Sequence, residues 1–120
     1  MTADKALRVP DYLHHILEAI ARIERYTRDL DETLFLHDEK TQDAVIRNIE
    51  IIGEAARNSE RDDPAFASRH PELPLARVYR MRNKVAHGYF QVDLNIVWKT
   101  ARLKLPELAP RIRAILQANI

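Results

Sequence analysis

Apolar positions recur three and four residues apart along this chain, the period of amphipathic helices throughout. A first helix is expected to start near Pro10, because proline's fixed φ and missing N–H suit a first turn. Leu13, Ile16, Leu17, Ile20 and Ile23 form its stripe, which fades near residues 29–32. A second helix should begin between residues 38 and 41 and run to about Ser59. Val45, Ile49, Ile52 and Ala56 make its central stripe, widened by Ile46 and Gly53 on one side and by Ala44, Ile51 and Ala55 on the other. Arg47, Glu50, Glu54 and Arg57 take the opposite face. A stripe this wide implies contact with more than one neighbour, or with a second subunit.

Pro64, Pro71 and Pro74 mark residues 61–74 as a connection, with one short helical turn near 65–69. A third helix is expected over residues 75–86, with Gly88 where a terminator belongs. Asp93 suits the N-cap of a fourth, whose stripe is Leu94, Val97, Trp98, Ala101 and Leu105. Pro106 must kink or end that helix. Leu108, Ile112, Ile115 and Leu116 then carry a final helix or a continuation. The pattern implies one all-α domain over residues 1–120, an up-and-down helical bundle.

Composition narrows this picture. The 120 residues are 46% apolar, enough for a real core in one domain. Only two glycines, Gly53 and Gly88, argue against a turn-rich β fold. The absence of cysteine excludes disulfides and thiolate metal sites. His14, His15, His37 and His70 show no metal-ligand spacing, so no metal is expected. No stretch approaches the roughly 20 apolar residues of a membrane span, and no signal-peptide run opens the chain. The expectation is a soluble cytoplasmic protein with no membrane role. A net charge of +1 excludes a broadly basic nucleic-acid binder, so any contact with RNA must use a local patch.

The third helix carries the anomaly. Leu75, Val78, Tyr79, Val85 and Ala86 share a face, and Arg82 stands near its centre. A guanidinium cannot shed its charge, so Arg82 must meet a carboxylate such as Glu50 or Glu54, or line a polar cleft. His87 would lie about 140° from Arg82 on an unbroken helix, but termination near Gly88 frees its direction. A histidine beside the last helix carbonyls suits proton transfer near neutral pH.

The string RNKVAHGY makes the sequence recognisable. Arg82 and His87 match the R-x4-6-H motif of the HEPN superfamily, and Tyr89 completes the R-x4-H-x-Y form of its HepT-like branch. AVIRNIEIIGEAA resembles that family's second helix. MRNKVAHGYFQVDLNIVWKT followed by LPEL resembles its C-terminal half. One departure is the tryptophan that family members often carry after a proline before the motif helix. Here Leu75 follows Pro74, a change expected to touch packing and not chemistry.

The resemblance implies a HEPN-like bundle that forms a homodimer, with Arg82 and His87 as the catalytic pair of a metal-independent endoribonuclease in a cleft between subunits. It implies the toxin half of a toxin–antitoxin pair, acting on RNA such as tRNA and needing no cofactor. The partner would be a cognate nucleotidyltransferase antitoxin that adds AMP to Tyr89. Asn83 and Lys84 are weaker candidates for RNA contact. Asn48, at the edge of the second helix's stripe, either pairs with backbone or supports the cleft. A non-catalytic HEPN subunit paired with a nucleotidyltransferase stays open as an alternative, as does a purely structural helical dimer.

Overall fold

The computed structural model describes residues 2–86 and 93–118, with side chains described for 8–81 and 93–118. The order is α1 (Thr2–Thr27), α2 (Glu32–Leu36), α3 (Glu39–Asp62), α4 (Pro64–Arg69), α5 (Leu75–Ala86), α6 (Leu94–Lys99), a π-helical turn (Thr100–Lys104) and α7 (Leu105–Ala118). No strand occurs among the described residues. The all-α expectation holds.

Helices α1 and α3 form the central pair. Leu13, Ile16, Ile20 and Ile23 of α1 face Val45, Ile49, Ile52 and Ala56 of α3, all within the buried core. Two polar links show that the pair is antiparallel. Near the start of α1, the Tyr12 hydroxyl donates to Asp62 Oδ2 at 2.7 Å, at the end of α3. Further along, Arg22 Nη1 donates to Asn48 Oδ1 at 3.4 Å. The bond to Asp62 pushes the Tyr12 hydroxyl's pKa up, and the same bond holds Asp62 below the usual carboxylate value.

Side-chain caps set the α2, α3 and α4 boundaries. Asp31 accepts from the Leu34 N–H at 2.8 Å. Asp38 accepts from the Thr41 N–H at 3.0 Å and the Thr41 hydroxyl at 2.7 Å, which lower its pKa. Asp63 caps α4, with Pro64 in the first turn where its missing N–H costs nothing.

Two features differ from the sequence reading. Helix α1 does not begin at Pro10; it starts at Thr2 and carries Pro10 inside. Proline deletes one helical hydrogen bond, but Val9 on its upstream side is buried beside Leu13, so packing carries the helix across the gap. The short α2 was not expected; a single turn shows no period, though it buries Phe35 completely.

The width of the α3 stripe is used inside one protomer. Helix α3 packs on α1 and on α5, and touches α2, α4 and α6. Val45, Ile49, Ile52 and Ala56 are all fully buried without a second subunit. Ile49→Ala should therefore cost about 2–5 kcal/mol, because the cavity lies where two helix pairs meet and cannot collapse easily. Urea unfolding followed by far-ultraviolet circular dichroism checks this, as a lower midpoint at unchanged slope.

From Leu94 to Ala118 the chain is one continuous helical run. The expected effect of Pro106 takes the form of the π turn. Proline's ring would press on the carbonyl four residues back, and widening the helix by one residue relieves this. The Leu105 N–H accordingly bonds to the Thr100 carbonyl, five residues back. Within that turn, Arg102 Nη1 donates to the Thr27 carbonyl at 3.3 Å, placing a cation at the C-terminus of α1. Its guanidinium also lies over the Trp98 ring at 5.3 Å. Trp98 packs on Phe35 in turn, with ring centroids 5.2 Å apart.

Candidate functional site

Helix α5 carries the first part of the motif. Leu75 and Val78 are buried, and Tyr79 and Met81 are half-buried against the core. Leu75, the residue in place of the family tryptophan, is 2% exposed. The Tyr79 hydroxyl donates to Glu60 Oε1 of α3 at 3.4 Å, which helps fix the helix on α3. The backbone of Arg82, Asn83 and Lys84 belongs to α5, while their side chains lie outside the described residues. His87 and Tyr89 also lie outside the described residues. Of the two carboxylates considered as partners for Arg82, Glu50 sits 3.9 Å from Arg47 and Glu54 is exposed.

Asn48 is 5% exposed. Its Nδ2 donates to the Ala44 carbonyl at 2.9 Å, and its Oδ1 accepts from Arg22. Both ends of the amide are thus occupied within the α1–α3 pair.

Beside α5 lies a groove of about 880 Å³. One wall is α5 from Arg77 to Met81, preceded by Pro74; the other is formed by α6, the π turn and α7. The groove exists because α5 is held by α3 while α7 is held by α1, leaving the two walls in little direct contact. Arg77, Arg80, Lys99, Lys104 and Arg111 line it, against one carboxylate, Glu107. These cations were not singled out from sequence. Their only local signal is the three-residue spacing of Arg77 and Arg80, which ordinarily reads as a solvated helix face. Among the described residues, no group of three or more His, Asp or Glu side chains could hold a metal ion.

A model of the family described as "Ribonuclease HepT-like" matches residues 16–115. This chain belongs to the HepT-like family. A protein of Thermococcus cleftensis named "Probable ribonuclease HepT" is 49% identical over 98 residues, covering 82% of this chain and 86% of that protein. Two proteins named as candidate RNases are also similar. The one from Methanocaldococcus jannaschii is 37% identical over 106 residues, covering 88% of this chain and 85% of its own. The one from Caldanaerobacter subterraneus is 33% identical over 106 residues, covering 88% and 92%. No solved structure matches the chain. The HepT-like match spans α3, α5 and α7, so it covers both walls of the groove and the whole RNKVAHGY string.

Proposed function

We propose that this protein is a metal-independent endoribonuclease, the toxin of a pair whose antitoxin is a nucleotidyltransferase. The observation that carries this reading is the family match over residues 16–115 together with an intact Arg82, His87 and Tyr89 string within it.

The chemistry follows from the residue types. His87 removes the proton from a ribose 2′-hydroxyl, and the freed oxygen attacks the adjacent phosphorus. The bond to the 5′-oxygen breaks, and that oxygen takes a proton from an imidazolium. The products are a 2′,3′-cyclic phosphate and a 5′-hydroxyl end. Nucleophile and target belong to one nucleotide, so the reactants are held together before catalysis begins. Arg82 neutralises the charge that grows on the phosphate oxygens. In a two-fold homodimer, two copies of the pair face one cleft, so one His87 serves as base and the other as acid. Asn83 and Lys84, beside Arg82 in sequence, supply further RNA contacts. A transfer RNA is the proposed substrate.

The test combines mass and cleavage on one sample. Light scattering at micromolar concentration should give twice the chain mass. The same sample should cut transfer RNA in EDTA and leave cyclic phosphate ends, with no gain from added magnesium. Activity lost on chelation and restored by magnesium overturns the mechanism.

A further inference from the structure

The groove between α5 and the C-terminal helical run concentrates charge that the rest of the chain lacks. Five cations less Glu107 give it a net charge of +4, in a chain whose total is +1. Everything outside the groove therefore sums to −3. Among the described residues, Arg77, Arg80, Lys99 and Lys104 have no ion-pair partner, and all four are exposed. Arg111 only donates to the Glu72 carbonyl, at 3.4 Å. Four unpaired cations around one concavity repel each other, a cost that an anionic occupant removes.

The interior of the groove is different. Val78, Leu105 and Leu108 are buried in its floor, with Met81 and Ile96 half-buried beside them. Thr100 also lines it, only 2% exposed, and its hydroxyl has no hydrogen-bond partner among the described residues. A buried hydroxyl without a partner is uncommon and suits a ligand that supplies one. An apolar floor with a cationic rim matches a nucleic-acid strand, with sugar and base faces inward and phosphates along the rim.

Connectivity ties this groove to the motif. The chain leaves one wall at Met81 and enters the other at Ile96. Arg82, His87 and Tyr89 all fall in the stretch of sequence that joins the two walls.

We propose that this groove is the binding track for the single-stranded RNA flanking the scissile bond, with Arg77, Arg80, Lys99, Lys104 and Arg111 on its phosphates. The proposal rests on the nuclease reading for its choice of RNA, but binding is measured separately from cleavage. Among the described residues no aromatic ring lines the groove, so phosphate contacts dominate there and binding tolerates many sequences. A two-fold contact of this groove with the same groove of a second copy is disfavoured as its occupant, since it would bring like charge onto like charge.

The probe is a labelled 2′-O-methyl RNA 12-mer, which lacks the 2′-hydroxyl and cannot be cut by the proposed route. Fluorescence anisotropy with the full chain should show affinity falling with salt, with a log–log slope of about −0.7 per phosphate contacted. The exposed triple variant Arg77→Glu, Arg80→Glu, Lys99→Glu should weaken binding more than tenfold and flatten that slope. It should raise KM for RNA more than it changes kcat. Arg57→Glu, on the exposed face of α3, serves as the charge control, and circular dichroism confirms both folds. Single reversals at Arg77 and Lys99 keep the test open if the triple variant does not fold. Unchanged affinity in these variants, or no binding by the parent protein, overturns the proposal. A lost dimer with intact 12-mer binding also overturns it and assigns the groove to contact between copies. Weakened 12-mer binding with no cleavage by the parent protein leaves the track standing and overturns the nuclease reading alone.

Discussion

Arg82→Ala and His87→Ala should each lower RNA cleavage by at least about a hundredfold while the helical spectrum stays that of the parent protein. The size follows from the roles proposed. A positioned acid–base group contributes roughly 10²–10⁴ in rate, and loss of one preorganised charge-stabilising donor costs roughly 10²–10³. Because the proposed mechanism has Arg82 and His87 act together on one phosphate, the losses should not multiply in a double variant. The pH profile separates the two residues. Removing His87 should flatten the profile, because the proposed mechanism uses this residue as both base and acid, whereas removing Arg82 should lower the whole curve without reshaping it. Rates at saturating RNA across pH 5–9, with thermal unfolding run alongside, provide the check. Cleavage near the parental rate in either alanine variant would overturn the assignment of that residue.

Equally large is the effect expected at Tyr89. Incubation with the cognate nucleotidyltransferase, magnesium and ATP should add one or more AMP units. The phenolic oxygen attacks the α-phosphorus of ATP and pyrophosphate leaves. Each adduct places a phosphodiester negative charge and a purine two residues from His87, opposing RNA by both charge and bulk. Cleavage should fall below detection in the fully modified protein. Tyr89→Phe removes the acceptor oxygen and keeps the ring, so it should escape modification. Intact-mass spectrometry and peptide mapping decide the matter. An unchanged mass, or an adduct on another residue, removes this mode of control and leaves the nuclease assignment intact.

The sequence pattern was most informative where several local signals agreed. Helix α3 has a cap at Asp38, an uninterrupted stripe and a proline just past its end, and its observed span Glu39–Asp62 overruns the expected end by three residues. Helix α5 begins at Leu75, just past Pro74, as expected, and its described part runs to Ala86. Pro10 misled because a local rule about hydrogen bonds was outweighed by burial of Val9 and Leu13 on either side of it. Arg82, His87 and Tyr89 were legible as a string, since their chemistry and spacing are themselves sequence properties. The cationic groove was not. Its cations lie on four separate elements, between residues 77 and 111, and become neighbours only when α5 and α7 dock on different partners. No period in the sequence reports that convergence.

The widened turn at Thr100–Lys104 also says where this chain tolerates a change of length. Val97, Ala101 and Leu105 are buried at successive intervals of four residues across it. On an ordinary α-helix, eight residues would carry Leu105 about 80° round from Val97, out of the core. Seven residues would leave it only about 20° off. The turn thus behaves as an α-helix holding one surplus residue, and Leu103, the exposed apolar side chain within it, is the natural candidate for that surplus. A single deletion there keeps α7 in phase with α6. The same deletion in the middle of α1 or α3 would rotate every downstream core residue by about 100°. Within the run from α6 to α7, single-residue deletions among homologous chains should therefore collect at this turn, the one place in that run where the core keeps its phase after a loss of length.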